Sequence, residues 1–291
     1  MPAPYDVVIT GLGLVTPLGI GHEAFWAALE SGQSGIDILP EFVGTELPFR
    51  FGARIKGFDA KQYVQPRKTI KVMCGEIQAS YAAATLAMQD AGLEKGAVEP
   101  ERLGVVLGSE MLFGEIEEVA GVYRRCADNG QFKFSNWGGF VFKDLYPLWM
   151  LKYLPNMAAC HISIAHDARG PNNSIVQGGA SSLLAIGEAM MVLARGHADA
   201  MIAGGSGANV SFNSLPFRGW EQLSKWHGEP AGASRPFDAQ RSGVVPGEGS
   251  GALVLETRAH AERRGAKILA RLAGFASRCE PVQSGRPAQG A

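Results

Sequence analysis

The stretch Ser174-Ile-Val-Gln-Gly-Gly179-Ala-Ser-Ser-Leu-Leu-Ala-Ile186 reads as a short strand, a tight turn and a buried helix. A strand-to-helix turn of this kind holds what it carries at the positive end of a helix dipole, which suits a nucleophile. Here the turn offers only Gly178 and Gly179, with no thiol or hydroxyl before Ser181. Beyond the turn, a helix is predicted from about Ser181 to Arg195. Leu183, Ile186, Met190, Met191 and Ala194 mark one face and Leu184 and Leu193 broaden it, so burial between layers is expected.

Working outward, strand and helix signals alternate. Val7 to Thr10 reads as a strand followed by a glycine-broken turn, Gly11-Leu-Gly13. His22 to Ser31 reads as a helix burying Phe25, Trp26 and Leu29. Residues 33–65 suggest loops and short strands. From Val72 to Ala91, apolar residues recur every three or four positions (Met73, Ile77, Tyr81, Ala84, Met88), which predicts an amphipathic helix stopped at Gly92. Leu103–Leu107, Ala200–Ala203 and Ala252–Leu255 are compact apolar runs expected to be central strands. A charged helix, Ala259 to Arg264, and a strand, Ile268 to Leu272, close the periodic part. The alternation predicts an α/β fold with a mixed, mainly parallel sheet and helices on both faces. The aromatic-rich segment 110–158 is expected to bury its rings within the molecule. Residues 280–291 lack apolar periodicity and are expected to be a disordered tail.

Composition narrows the function classes. With 46% hydrophobic residues in 291, the chain can build a sizeable core. A net charge of −1 with scattered basic residues argues against nucleic-acid and membrane partners. The N-terminus shows no secretory pattern and no apolar run approaches bilayer-spanning length, so a cytoplasmic protein is expected. Cys74, Cys126, Cys160 and Cys279 have neither metal nor disulfide spacing, which suits a reducing compartment.

The motifs that invite chemistry are weak. Gly11-Leu-Gly13 begins a GxGxxG pattern, but its third glycine position holds Thr16 and Pro17 interrupts the expected helix. The glycine-rich run Gly247 to Gly251 lacks the Gly-Lys-Ser/Thr ending of a phosphate loop, and both are read as tight turns. Cys160-His161 and His166-Asp167 are adjacent pairs whose side chains diverge. His22, His197, His227 and His260 form no metal spacing, so no metal or other cofactor is expected. Ser181 and Ser182 are expected to cap the following helix rather than to attack a substrate.

An ordered set of segments resembles the N-terminal half of the β-ketoacyl-acyl-carrier-protein synthases, of thiolase-like fold. It comprises Val8-Ile-Thr-Gly-Leu-Gly-Leu-Val-Thr-Pro-Leu-Gly19, Ser31-Gly-Gln-Ser-Gly-Ile36, Pro155-Asn-Met-Ala-Ala159 with His161-Ile-Ser163, and Gly170-Pro-Asn172. Ala198-Asp-Ala-Met-Ile-Ala-Gly-Gly205, Ser234-Arg-Pro-Phe-Asp238 and Gly247-Glu-Gly249 continue it in the family's order, to about residue 278. The resemblance implies a transferase. A cysteine at the turn takes an acyl group from a carrier protein as a thioester, and histidines of the second half assist decarboxylation of a malonyl thioester.

Two departures follow from that resemblance. The family's Ala-Cys-Ala-Ser-Ser-Leu run aligns with Gly178 to Leu183, which places Gly179 at the nucleophile position and leaves no catalytic residue intact there. Gly178, Ala180 and Ser181 complete the implied acyl neighbourhood. The His-Gly-Thr-Gly-Thr and Asn-x-His segments of the second half are not found. The expected division is a ketosynthase N-terminal-type domain over 1–264, the first strand of a second half over 265–279, and the tail 280–291. Relatives without the cysteine serve as partner subunits and carry glutamine at its position; here the glutamine is Gln177, two residues earlier. The implied partners are an acyl carrier protein and a second chain, as a homodimer or as a heterodimer with an active ketosynthase or a separate C-terminal half. Three other readings compete: an enzyme of unorthodox chemistry using Ser181 or Cys160, an acyl- or carrier-binding module without catalysis, and a truncated product without function.

Overall fold

A computed structural model describes residues 6–47, 50–110, 114–208, 210, 214–215, 219 and 222–279. The expected tail 280–291 lies outside the described residues. The chain opens with strand β1 (Val7–Thr16), a short β2 (Gly19–Ile20) and helix α1 (His22–Glu30). Two short strands, β3 (Asp37–Ile38) and β4 (Phe51–Gly52), precede α2 (Gly75–Asp90) and β5 (Leu103–Ser109). Helix α3 (Ile116–Cys126), the small hairpin of β6 (Ala127–Asp128) and β7 (Gln131–Phe132), and α4 (Trp137–Asp144) form an excursion. Then follow α5 (Met157–His166), β8 (Asn172–Val176), α6 (Ser181–Ala194), β9 (Ala200–Ala208), β10 (Glu248–Thr257), α7 (Arg258–Arg263) and β11 (Ala270–Leu272).

The main sheet runs β11-β1-β10-β9-β5-β8, with β2 on β1. It is mixed, as expected, but its parallel share is smaller than the alternation predicts. β9, β5 and β8 are parallel, whereas β11, β1, β10 and β9 pair antiparallel in succession. Alternation dictates parallel pairing only where a helix carries the chain across the sheet. Helix α6 does so between β8 and β9; between β9 and β10 the chain returns through residues 209–247 and enters β10 in the opposite sense.

Helices cover both faces. Val105, Leu107, Ile202, Ala252 and Val254 face α2 and α5, while Val106, Met201, Ala203 and Leu255 face α6. This alternation along each strand is what a sheet buried on two sides requires. Gly11-Leu-Gly13 is not a turn: β1 continues through it, with a register shift between Ile9 and Gly11. The glycines serve close packing instead. A Cβ on Gly13 would stand 2.0 Å from the Ala83 carbonyl oxygen and one on Gly11 2.2 Å from that of Ala87, so α2 lies directly on the strand backbone.

Three burial expectations are corrected. In α1 only Ala28 is buried; Trp26 and Leu29 face outward. The aromatic segment buries few of its rings: Phe142 is 89% and Phe134 75% exposed, and Tyr123, Phe132 and Tyr146 are also exposed. Tyr123, Phe132 and Trp137 pack on one another rather than into the main core. In α6 the buried set is Ala185, Ala189, Met190, Val192 and Leu193, whereas Leu183 is 67% exposed. In each case a surface hydrophobic stripe has the same periodicity as a core one, and sequence alone does not say what covers it.

Candidate functional site

The Gly178–Ala180 turn is a single 3-10 turn between β8 and α6. Gly178 adopts φ +55°, the left-handed region that a residue with a Cβ enters at a cost. Ser181 binds this turn together instead of capping the helix. Its Oγ accepts from the Gln177 N–H at 2.7 Å and donates to the Gly178 carbonyl at 2.8 Å, while α6 has no side-chain cap. The start of α6 is seated on β5 at Gly108, where a Cβ would lie 2.3 Å from the Ser182 nitrogen. At Gly179, by contrast, a Cβ would have nothing within 4 Å. The turn is exposed and has room for a side chain that this sequence does not supply.

The turn borders a cavity of about 380 Å³. The wall consists of Gly178, Gly179, Ser181 and Ser182 from the turn and helix, Gly108 and Glu110 from the end of β5, Gly205–Gly207 of β9, and Gly249–Gly251 of β10. Of the expected neighbourhood, Gly178, Gly179 and Ser181 come together here, while Ala180 sits in the turn outside the wall. The run Gly247 to Gly251, expected to be a tight turn, instead enters β10 and contributes to the wall. The cavity lies beyond the carboxyl ends of β5, β8 and β9, where open α/β sheets hold their ligands. None of the described wall residues has an apolar side chain.

Behind this wall stands a buried acid that the sequence reading missed. Glu76, the second residue of α2, is 6% exposed. Ser206 Oγ donates to its Oε1 at 2.9 Å, and the Ala208 N–H and the Ser109 hydroxyl also bond to its carboxylate. Burial pushes the Glu76 carboxyl up to about 7, and the nearby charge of Glu110 adds to the rise against these hydrogen bonds. The signal was present in the sequence as a carboxylate inside an otherwise apolar helix face. It carried no weight because first-turn acids are ordinary on helices.

The other candidates disperse. Cys160 and His161 share α5; the Cys160 Sγ has Asn156 Nδ2 at 3.7 Å, whereas His161 turns into the core and burial lowers its basicity. His166, at the end of the same helix, is lowered to about 4 by burial, with Lys95 adding to the effect. Among the described residues no three His, Cys, Asp or Glu side chains converge as a metal site would need, and no helix is long and apolar enough to cross a membrane.

Comparison with known proteins agrees with this geometry. Residues 5–261 match the model of the β-ketoacyl synthase N-terminal domain. The chain is 37% identical over 270 residues to 3-oxoacyl-[acyl-carrier-protein] synthase 2 of Vibrio cholerae, covering 92% of this chain and 62% of that one. Among solved structures it is similar to a β-ketoacyl synthase from Burkholderia phymatum, with a TM-score of 0.77 and 31% identity over 91% of this chain and 62% of that one. It is also similar to a type II PKS ketosynthase in complex with its acyl-carrier protein and bound to the hexaketide, with a TM-score of 0.73 and 29% identity over 92% and 62%. The chain thus spans somewhat less than two thirds of these relatives. With a thiolase-like α/β scaffold and a match over most of its length, the chain belongs to the β-ketoacyl synthase family, on the side of its N-terminal domain.

Proposed function

We propose that this chain is a ketosynthase homologue of fatty acid or polyketide biosynthesis that does not condense by itself. It acts in the cytoplasm as a partner subunit of an active ketosynthase or as one half of a split one, and engages an acyl carrier protein. The observation that carries the reading is Gly179: the turn is formed, open and backed by a helix N-terminus, yet bears no side chain to hold a thioester. The exposed rings of Phe134, Phe142, Tyr123 and Tyr146 support association with a second chain, as a homodimer or heterodimer, because large exposed apolar side chains favour being covered. A neighbouring structure that pairs a ketosynthase with its acyl-carrier protein supports the choice of that partner. Residues 265–279, which lead through β11 along β1 and lay Phe275 against α6 at Gly187, are read as the entry to a second half.

Gly179→Cys tests the assignment of the turn. A thiol there has open space and the positive end of α6, both of which favour the thiolate. Cys126 is buried and burial pushes the Cys74 thiol up to about 11. Iodoacetamide should therefore label Cys introduced at 179 at least tenfold faster than either, as read by peptide mass mapping. Equal or slower labelling would remove Gly179 from the nucleophile position. Native mass spectrometry after co-expression with an active ketosynthase tests the partnership; a chain that never forms a complex would speak against it.

A further inference from the structure

Glu76 has no cationic partner among the described residues; its carboxylate is met by hydroxyl and main-chain donors and is opposed by the charge of Glu110. Burying a carboxylate without a counter-charge costs several kcal/mol, so stability alone does not account for it. Strongly perturbed acids of this kind mark functional sites when they adjoin a cavity. Glu76 does so through Ser206, whose hydroxyl already donates to Oε1 and which forms part of the wall that includes Gly178, Gly179, Ser181 and Ser182. A serine nucleophile needs a base within hydrogen-bond reach to take its proton, and 2.9 Å meets that requirement. The residues that open α6 line the same cavity, and the dipole of this 14-residue helix favours negative charge developing on a carbonyl oxygen there.

We propose that Ser206 and Glu76 form a nucleophile–base pair that hydrolyses a short, polar acyl thioester held against the Gly178–Ser182 turn. In the first step Ser206 Oγ adds to the thioester carbonyl while its proton passes to Glu76. The C–S bond then breaks and Glu76 returns the proton to the departing thiolate, leaving an ester on Ser206 and a free thiol. Water attacks that ester, Glu76 takes the water proton and returns it to Ser206 Oγ as the C–O bond breaks, and the products are a carboxylic acid and the original serine. The acyl group is short and polar because, among the described residues, the wall is made of glycines, serines and one glutamate, with no apolar side chain to receive an alkyl chain. The choice of a thioester rests on the family reading above; the Ser206–Glu76 pair does not.

The test uses the intact chain and the N-acetylcysteamine thioester of 3-hydroxybutyrate, with thiol release followed by a thiol reagent and acylation located by peptide mass mapping. The expected result is thiol release above the buffer rate, rising as pH passes through about 7 and Glu76 ionises. Ser206→Ala should abolish it, and Glu76→Gln should lower it by about 10²–10⁴-fold, the usual range for loss of a general base. Ser206→Cys should still be acylated at the same peptide, which separates loss of the nucleophile from loss of the fold. Wild-type release no faster than buffer, release unchanged in Ser206→Ala, or acylation at Ser181 or Ser182 would each overturn the proposal. The carrier protein takes no part in this assay. A failed partnership would leave it unchanged, and its own failure would leave the Gly179→Cys labelling unchanged.

Discussion

Two buried carboxyls stand at opposite ends of the same pair of strands, and they are treated in opposite ways. Ser206 is in register with Ser250 at one end of the β9–β10 ladder, and Ala200 with Glu256 at the other. Six residues of strand separate them, about 20 Å. At the far end Glu256 is fully buried, and burial alone would raise its pKa. Two hydrogen bonds from Arg264, at 2.6 and 2.9 Å, with others from Thr10 and His260, instead hold it below the usual carboxylate range. At the cavity end Glu76 has, among the described residues, hydroxyl and main-chain donors alone and moves the other way. One end of the sheet is closed by compensated charge, and the other keeps an acid in tension beside an open space. The difference teaches that burial by itself does not single out an acid; what sets Glu76 apart is a cavity beside it and no counter-ion among the described residues.

The comparison can be broken most readily at Arg264. Arg264→Ala leaves a buried carboxylate short of its main cation, and a loss of about 3–5 kcal/mol is expected by urea denaturation at pH 7. A change within error would show that Glu256 is not held by its partners. Glu76→Gln should act in the opposite direction. The folded value of Glu76 lies above its usual 4.5, so between roughly pH 4.5 and 7 the unfolded chain releases the proton first and stability falls as pH rises. The Gln variant should gain on the order of 3 kcal/mol at pH 8 and almost nothing at pH 4, which thermal melts at the two values would reveal. A gain independent of pH would mean that Glu76 is not the source. Glu256 has the reverse sign: its contribution is complete above its usual value and is lost as pH falls through the lower folded one. The smallest of the three effects is at Thr10. Thr10→Val removes one donor to a charged acceptor and should cost about 2 kcal/mol, with the acid limb of the stability profile moved to higher pH.

Much of this arrangement was legible in the residues, for reasons that differ by element. β5 was readable because Leu103–Leu107 is a continuous apolar run, and it is buried at every position. The β8–turn–α6 unit was readable because a glycine pair punctuates two unlike patterns, and Gly178 does take the left-handed conformation. Strand direction was not readable, since the antiparallel return of β10 depends on a long connection with no periodicity of its own. Nor was the cavity. Its wall draws on residues near 108, 178, 205 and 250, which only the sheet register brings together. Ser206 looked like one more small residue in a strand, and its importance arises from Glu76, 130 positions earlier in the chain.

The register of β1 has a consequence for how this molecule comes into being. β1 leaves the ribosome well before its partners: it pairs on one side with β10, Val7 opposite Thr257, and on the other with β11, Val7 opposite Leu272. At 5–20 residues per second, β1 waits about 12–50 s for either long neighbour to be made. Meanwhile α2, which lies on Gly11 and Gly13, can shelter one face of β1 but neither of its edges. Closing so long a loop is entropically costly and slow, so the pairing of β1 in the nascent chain is gated by β10 and β11. An early stop that spared every described residue of the cavity wall but removed β10's partner positions beyond Gly251 would still leave β1 exposed as a sticky edge.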